Sequence, residues 1–212
     1  MLLFAFSEVP TTVLAALRAT SGLEWVAVLT GFACVWLAAR ESLWNFPTAI
    51  VSCVLFIVIY YRKGLYADSG LQVMFIGLSV YGWYEWLYGS RDRTPLTVTR
   101  TTAGEWGSGA VFIAAFTAGF GYYLGHHTDS TFPYLDSFTT GTSIVAQLLL
   151  TRKRLENWWL WLLVDSIYVP VLWVKEAYPS SLLYALYLGL AAYGYWQWRR
   201  DLQAGPARPQ PE

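Results

Sequence analysis

The chain has 212 residues, of which 56% are hydrophobic, 18% aromatic and only 13% charged, and its formal net charge is zero. Soluble domains carry about 25% charged residues, so this composition excludes a soluble globular protein, and the zero net charge gives no indication of a nucleic-acid partner. Hydrophobic runs of about 17 to 20 residues have the length of membrane-spanning helices. The ten-residue segments of alternating hydrophobicity that are typical of a β-barrel do not occur in the sequence, which excludes that fold. The sequence predicts an all-α integral membrane protein.

Seven membrane spans are predicted in chain order, at residues 23–39, 44–61, 69–88, 107–124, 138–151, 157–173 and 181–198. An amphipathic segment over 10–18 precedes them, and the first residues lack the basic stretch of a cleavable signal peptide. The spans divide the chain into an N-terminal segment, a first half, a connector with a linker helix, a second half and a C-terminal tail: 1–22, 23–88, 89–136, 137–198 and 199–212. We expect the Pro-rich tail to be disordered.

The first three spans and the last three repeat each other at an offset of 112 residues. Polar, charged and glycine residues are identical at this offset, among them Asn45/Asn157, Lys63/Lys175, Ser69/Ser181, Gly82/Gly194 and Trp86/Trp198. Apolar composition alone does not produce such matches in one register. The fourth span is then a linker in a 3+1+3 arrangement. Because one helix joins the halves, they have the same orientation and form two parallel repeats, related by an axis along the membrane normal.

Basic residues are distributed unequally between the two sides of these spans. Four of the 14 lysines and arginines lie on the amino-terminal side, namely Arg18, Arg62, Lys63 and Lys175. The other ten lie on the opposite side. Cytoplasmic loops are enriched in Lys and Arg, so we expect the carboxyl terminus in the cytoplasm and the amino terminus outside.

The sixth span carries a carboxylate near its middle, Asp165. Helical spacing by three and four places Trp158, Trp161 and Tyr168 on the same face. A charged side chain at mid-membrane costs a few kcal/mol or more, so we expect Asp165 to face a protein-lined, partly wet cavity. Aromatic faces beside a carboxylate fit a flat organic cation, because each cation–π contact contributes roughly 0.5 to 2 kcal/mol.

The repeat breaks at this face, and ligand positions need not repeat as scaffold positions do. Opposite Trp158, Trp161, Asp165 and Tyr168 the first half has Phe46, Ala49, Cys53 and Phe56. In the third span Gln72 stands where the seventh has Tyr184. We therefore expect a site near the midplane, between the halves, that includes Asp165, the aromatic face and the Gln72 carboxamide.

Structural alternatives remain open for these residues. Trp158 and Trp161 could anchor the span at the interface, as we expect for Trp159, and Asp165 and Gln72 could form hydrogen bonds between helices. A metal site at His126, His127 and Asp129 is disfavoured because adjacent His side chains point apart, so a solvated loop is expected. The two cysteines, Cys34 and Cys53, lie inside predicted spans. We expect them to be buried as small apolar residues and not to form a disulfide or a metal site.

Two parts of the sequence resemble the PnuC family of bacterial vitamin transporters. One comprises Leu65-Tyr66-Ala67-Asp68, Leu71-Gln72-Val73 and Tyr81-Gly82-Trp83-Tyr84-Glu85-Trp86. The other runs from Thr151 to Trp161 and closes on Asp165, similar to a signature in which two tryptophans precede Asn or Asp. The resemblance covers about residues 22–200. By matching motifs it points to Gln72, Asn157, Trp158, Trp161 and Asp165 as substrate-site residues, beside Tyr168 and Tyr184 from the comparison of the halves.

The resemblance implies a SWEET-like fold, a homotrimer, and facilitated diffusion of nicotinamide riboside across the bacterial inner membrane. Trapping by a cytoplasmic kinase then makes uptake one-way and feeds NAD biosynthesis. Asp165 stands where some relatives have Asn, and close relatives carry thiamine or other B vitamins. Nicotinamide riboside and thiamine are both flat cations with hydroxyls, so the residues do not separate them.

Other classes of function fit the sequence less well. An integral membrane enzyme would need clustered His, Asp or Glu at an interface. The third class is a channel or an adaptor in a larger complex, and a channel would have polar residues repeated in both halves. No Gly-rich loop ending in Lys-Ser/Thr is present in the sequence, which excludes direct ATP hydrolysis. We expect no catalytic residues, no cofactor and no metal, and the partners expected besides the vitamin are membrane lipid and further copies of the chain.

Overall fold

The computed structural model describes residues 15, 21–62, 66–89, 96–128, 130–174 and 178–204, without the side chains of 66–68 and 179. In these ranges the fold is all-α and contains seven helices. They are α1 Gly22–Ala39, α2 Asn45–Arg62, α3 Tyr66–Tyr88, α4 Ala103–His127, α5 Pro133–Thr151, α6 Asn157–Val174 and α7 Tyr178–Ala204. The prediction of three helices, a linker and three more helices is confirmed, whereas the predicted segment 10–18 lies outside the described ranges apart from residue 15.

Polar capping groups extend two helices beyond their apolar runs. The side chain of Thr102 accepts a hydrogen bond from the Glu105 backbone at 3.3 Å, and the Glu105 carboxylate accepts one from the Thr102 N–H at 2.9 Å. Ser21 and Glu24 form the same reciprocal pair at the start of α1. This capping box satisfies N–H groups that have no partner inside the helix, so α4 begins at Ala103 and not at 107 as predicted.

The C-terminal end of α7 differs from the sequence prediction. The helix continues to Ala204, so residues 199–204 are helical where a disordered tail was expected, and 205–212 lie outside the described ranges. Side chains one turn apart stabilise this last stretch. Gln197 Nε2 donates to Asp201 Oδ2 at 3.3 Å, and the Arg200 guanidinium lies 4.7 Å from the Trp196 ring centroid.

Four helices, α1, α2, α4 and α6, are long and apolar enough to cross a membrane by length and composition. The less hydropathic α5 is rich in hydroxyl side chains, several of them buried, such as Ser137, Thr139 and Thr142. Their hydroxyls donate to backbone carbonyls one turn earlier, at 2.7 to 3.0 Å. Hydroxyls satisfied within their own helix do not need water, which makes α5 compatible with a position inside a bilayer.

The internal repeat is visible in individual hydrogen bonds of two loops, one before α2 and one before α6. Glu41 and Lys153 occupy equivalent positions and have positive φ angles of 53° and 49°. Asn45 Nδ2 donates to the Ser42 carbonyl at 2.6 Å, and Asn157 Nδ2 donates to the Arg154 carbonyl at 2.7 Å. A left-handed residue ends one helix and the amide fixes the start of the next. The predicted register of the repeat is confirmed at these positions.

A second repeated bond joins the second and third helices of each half. Ser69 Oγ donates to the Ile57 carbonyl at 3.3 Å, and Ser181 Oγ donates to the Val169 carbonyl at 2.8 Å. Both serines are buried. A buried hydroxyl without a partner would cost about 1–3 kcal/mol, so these serines hold their helices at fixed positions along one another.

The helices form two compact units. Unit 1 comprises Met1–Val80 and Asp165–Leu190, and unit 2 comprises Tyr81–Val164 and Ala191–Glu212. Inside unit 1, α2 contacts α1 through Ser52 Oγ, which donates to the buried Ala27 carbonyl at 2.9 Å. Inside unit 2, α5 and α6 share an apolar core formed by Val145, Ala146, Leu149 and Leu160.

A short extended segment before α4 is bound to the loop before α6, within unit 2. We call residues 98–102 the linker strap. Its Thr99 N–H donates to the Lys153 carbonyl at 3.0 Å, and the Leu155 N–H donates back to the Thr99 carbonyl at 2.9 Å. The Glu156 carboxylate accepts from the Thr101 N–H at 2.7 Å and from its hydroxyl at 2.8 Å. The strap therefore attaches the start of the linker helix to the second half.

Arg154 completes this attachment. Its Nε and Nη2 both lie 3.0 Å from Glu105 Oε1, and its Nη1 donates to Thr99 Oγ1 at 2.6 Å. The Arg154 side chain is 23% exposed and that of Glu105 15%. Charge-assisted bonds in such a half-buried place stabilise more than exposed pairs do.

We expect the Arg154→Ala variant to lower the free energy of unfolding by about 1–3 kcal/mol, because Glu105 and Thr99 lose charge-assisted partners. Thermal unfolding of the detergent-purified protein measures this. The matched control is Arg152→Ala, since Arg152 approaches Glu105 at 3.5 Å from a side chain that is 52% exposed; it should change stability by less than about 1 kcal/mol. Equal shifts from both variants would show that Arg154 has no special role in the strap.

Candidate functional site

Asp165 lies in the middle of α6, eight residues after Asn157 and nine before Val174. The residue is only 4% exposed. Among the described residues its carboxylate has no hydrogen-bond or ion-pair partner. A buried carboxylate without a donor is costly, so its presence in a membrane helix marks a candidate functional site. Its chemistry favours a ligand that brings a positive charge or hydroxyl donors.

Three tyrosines of unit 1 lie near this position, and we call Tyr168, Tyr184 and Tyr187 the tyrosine cluster. The rings of Tyr168 and Tyr184 lie with centroids 4.8 Å apart, and the Tyr187 ring meets Tyr184 edge-on at 6.0 Å. Asp165 lies within electrostatic range of both Tyr184 and Tyr187. The structure thus brings together three of the predicted site residues, Asp165, Tyr168 and Tyr184.

Two tyrosines of this region were missed by the sequence analysis. Tyr187 lies three residues after Tyr184, and Tyr60 of α2 is within electrostatic range of both. A signal for Tyr187 was present in the repeat, because Phe75 is its counterpart in the first half. The exchange adds a hydroxyl at a position that otherwise keeps its aromatic ring.

Gln72 of α3 belongs to unit 1, as Asp165 and the tyrosine cluster do. Its side chain is half-buried. Within the described ranges it forms no hydrogen bond, so its carboxamide keeps both donors and its acceptor. The helix–helix hydrogen bond that was the alternative interpretation of Gln72 is not formed there, and its role in a substrate site stays a prediction.

Trp158 is packed into an aromatic group of unit 2 made by Trp86, Trp158 and Trp198. It is 1% exposed and meets Trp198 edge-on with centroids 5.4 Å apart. Gly194 makes room for it, because a Cβ there would lie 2.6 Å from Cη2 of the indole. Its Nε1 is buried and has no partner among the described residues. Packing accounts for the ring, and only the indole N–H remains available to a ligand.

Asn157 is fully buried at the first position of α6. Its amide nitrogen holds the Arg154 carbonyl at 2.7 Å, as Asn45 holds Ser42 in the first half. Its Oδ1 has no partner in the part of the chain that the structure describes. The amide therefore has a structural role in both halves, and its assignment to the substrate site stays a prediction that depends on the free oxygen.

Trp161 and Trp159 lie on different faces of α6. Trp161 is partly buried against the apolar core of Val145, Ala146, Leu149 and Leu160, one turn before Asp165. Trp159 is 52% exposed and meets Tyr195 edge-on at 5.1 Å. Its exposure agrees with the predicted outward-facing position.

The histidines lie in the last turn of α4, not in a solvated loop as predicted. His126 Nδ1 is 2.8 Å from the Tyr122 carbonyl oxygen, and the His127 ring packs against Tyr123 at 4.8 Å. These contacts one turn apart accompany an extension of the helix by three residues beyond the predicted end at 124. No group of three or more His, Cys, Asp or Glu residues is placed for a metal ion within the described ranges.

The comparison with known proteins decides the family. The family model described as nicotinamide mononucleotide transporter matches residues 21–200. The chain belongs to this family. It is therefore a multi-pass membrane transporter and not an enzyme, and the resemblance stated from its motifs is confirmed.

Individual transporters are similar to this chain over most of their own length. The nicotinamide riboside transporter PnuC of Escherichia coli (strain K12) is 30% identical over 203 residues, covering 84% of this chain and 85% of the relative. The riboflavin/roseoflavin transporter RibM of Streptomyces davaonensis is 27% identical over 196 residues, covering 87% and 91%. The crystal structure of the vitamin B3 transporter PnuC matches the fold with a TM-score of 0.71 at 24% identity, covering 96% and 92%.

An open groove of about 590 Å³ on α4 and α5 is not suited to a polar substrate of this family. It is lined by apolar side chains together with Thr117 and Tyr134: Ala110, Ile113, Ala114, Ala118 and Phe138. A hydroxylated cation needs several polar partners when it leaves water. This groove offers such a ligand only the hydroxyls of Thr117 and Tyr134.

Proposed function

We propose that this member of the family takes up nicotinamide riboside by facilitated diffusion. The single observation that supports it most is Asp165, a buried carboxylate in mid-helix without a partner among the described residues. Relatives named as nicotinamide riboside transporters in Escherichia coli and Neisseria mucosa are 30% and 28% identical over more than four fifths of this chain. The excess of Lys and Arg on the carboxyl-terminal side supports an orientation in the bacterial inner membrane with the carboxyl terminus in the cytoplasm.

The chemistry of the substrate matches these groups one by one. Nicotinamide riboside has a flat pyridinium cation, which the Asp165 carboxylate attracts, and aromatic faces such as Trp161, Tyr168 and Tyr184 stabilise such a ring. Its ribose hydroxyls can donate to carboxylate or amide oxygens. Gln72, Asn157 and Trp158 are proposed as further contacts, because the Asn157 Oδ1 and Trp158 Nε1 are buried without partners among the described residues.

Passive transport is the mechanism that we propose for this site, because the sequence gives no pair of membrane carboxylates for a proton relay. A cation that binds Asp165 neutralises the buried charge, so that the loaded site carries no net charge from this pair. The sequence has no phosphate-binding loop, and phosphorylation of the vitamin inside the cell would give uptake its direction. Assembly as a homotrimer is part of the proposal and has its own test in the mass of the purified protein.

A related B vitamin is the second candidate. One relative is named as a riboflavin/roseoflavin transporter at 27% identity, and thiamine is a second flat cation with a hydroxyl. Riboflavin has a neutral ring system, so the unpartnered carboxylate of Asp165 favours a cationic vitamin over it.

Calorimetry on the purified protein with nicotinamide riboside, thiamine and riboflavin tests the proposal. Wild type should bind nicotinamide riboside most tightly; tighter binding of either other vitamin would overturn the assignment. In Asp165→Asn, which keeps the volume and loses the charge, we expect affinity about tenfold lower, or ~1.4 kcal/mol.

A neutral analogue of the same outline separates charge from hydrogen bonding at Asp165. If attraction of the cation dominates, Asp165→Asn weakens the cation and spares the analogue. If acceptance from hydroxyls dominates, both weaken, and Asp165→Ala is worse than Asn. Unchanged affinities in both variants would remove Asp165 from the site and leave it as a structural group.

A further inference from the structure

We infer that Tyr187 is a specificity-determining residue whose hydroxyl contacts the sugar of the substrate and favours a ribosylated pyridinium over the bare cation. The inference rests on the proposed function and adds a residue to its site. It is carried by the position of the Tyr187 hydroxyl between α1 and α2, described next.

The Tyr187 hydroxyl reaches a niche on α1 that only glycine leaves open. A Cβ on Gly31 would lie 3.0 Å from Tyr187 Oη and 3.1 Å from Ser52 Oγ. Three helices of unit 1, α1, α2 and α7, therefore meet at one point with two hydroxyls beside a bare stretch of backbone. Gly31, Ser52 and Asp165 each lie seven to ten residues from both ends of their helices, and Tyr187 lies nine residues after Tyr178. All four therefore lie deep within a bilayer-spanning layer.

Hydrogen-bonding capacity at this point is not used up. Ser52 donates its proton to the Ala27 carbonyl at 2.9 Å and keeps its lone pairs. Within the described ranges, Tyr187 Oη has no hydrogen-bond partner, and neither has the Asp165 carboxylate within whose electrostatic range it lies. One free donor and two free acceptors deep in a membrane protein match a ligand with several hydroxyls, because each hydroxyl both donates and accepts.

The repeat separates this group from the scaffold. At the equivalent positions of the other half, Phe75 corresponds to Tyr187, Val164 to Ser52 and Cys53 to Asp165. The serines that hold the helices together, by contrast, are identical and keep the same bond in both halves. Ser52 also joins α2 to α1 through its bond to the Ala27 carbonyl, whereas Tyr187 and Asp165 form no hydrogen bond within the described ranges and are the groups that we assign to the ligand.

Tyr184 is placed to contact the pyridinium ring of the substrate, and Tyr187 to contact its sugar. Tyr184 lies against the Tyr168 ring at an interplanar angle of 32°, whereas Tyr187 stands at 86° to Tyr184. The first pair offers aromatic faces and an edge for a flat ring. Tyr187 instead extends its hydroxyl to the Gly31 backbone, and from there the hydroxyl can form a hydrogen bond with a substituent of the ring.

The test compares nicotinamide riboside with 1-methylnicotinamide, which has the same pyridinium cation and no sugar. Tyr187→Phe removes the hydroxyl alone. We expect its affinity for nicotinamide riboside to fall about three- to tenfold, the effect of one lost hydrogen bond. Its affinity for 1-methylnicotinamide should not change, so the ratio of the two affinities falls by the same factor. The matched control is Tyr193→Phe on the same helix, where Tyr193 is 36% exposed and packs beside Trp196; it should leave both affinities unchanged.

A second variant keeps Tyr187 and fills its niche. Gly31→Ala places a methyl group 3.0 Å from the hydroxyl and should lower the ratio of the affinities for nicotinamide riboside and 1-methylnicotinamide. Unfolding temperatures are recorded for every variant. A Tyr187→Phe protein with wild-type preference overturns the inference, as does equal weakening of both ligands, which indicates packing. A wild type that does not bind nicotinamide riboside overturns the proposed function instead, so the two failures are distinct.

Discussion

The Trp161→Ala variant should bind nicotinamide riboside one to two orders of magnitude more weakly than wild type. Trp161 lies one turn before Asp165 on α6, at the helical spacing that puts both residues on one face. Loss of stacking and cation–π contact with a desolvated cation corresponds to ~1 to 3 kcal/mol. Tryptophan quenching or calorimetry measures the change.

Trp159→Ala is the matched control, because Trp159 is 52% exposed and lies on another face of the same helix. It should change affinity much less. Trp161 also packs against the core of α5 and α6, so Trp161→Phe is needed beside it, since Phe keeps a ring and part of the packing. Equal losses from Trp159→Ala and Trp161→Ala would mean that the assignment of faces on α6 is wrong.

Replacing Gly194 with alanine should destabilise the protein by about 1–3 kcal/mol, the usual effect of an extra methyl group in a packed core. The added Cβ would lie 2.6 to 2.7 Å from three atoms of the Trp158 indole. Trp158 is 1% exposed and wedged against Trp198, so the ring has little room to move. Thermal unfolding in detergent measures the loss.

Gly189→Ala is the matched control on the same helix. Nothing lies within 4 Å of a Cβ at Gly189, and alanine favours a helix over glycine by up to ~1 kcal/mol. Its unfolding temperature should be equal to or above that of wild type. If both variants are equally stable, Trp158 is not held by Gly194 and has room to serve a ligand.

The sequence predicted the spans and their register because both depend on information that runs along the chain. The length of a hydrophobic run predicts a membrane span, and matching Asn, Ser and Gly residues at one offset predict the repeat. The equivalent hydrogen bonds of Asn45 and Asn157 in their loops confirm the register of the repeat. Helix ends were predicted less well. Thr102 and Glu105 begin α4 outside its apolar run, and Gln197 with Asp201 stabilises α7 beyond 198.

The candidate site was predictable only for the residues that share one face of one helix or that differ between the two halves. Asp165 and Tyr168 share a face of α6, and Tyr184 was found by comparing the halves. Tyr187 was missed because its partner in the niche, Gly31, lies on α1, more than 150 residues away in the chain. The packing of Trp158 was missed for the same reason, since Gly194 belongs to α7. Contacts between distant segments are not visible in the pattern of either segment alone.

The linker strap also sets an order of events during synthesis. Thr99 is 55 residues ahead of Arg154, and Glu105 is 49 residues ahead of it. At a translation rate of ~5–20 residues per second, the arginine follows after about 3–11 s. During this interval the rest of α4 and all of α5 are synthesised while Glu105 lacks its cationic partners, so its charge favours a position of the start of α4 at the water boundary. Final docking of the linker helix therefore waits for the loop before α6, and nascent chains that stop short of Arg152 carry an unanchored fourth span.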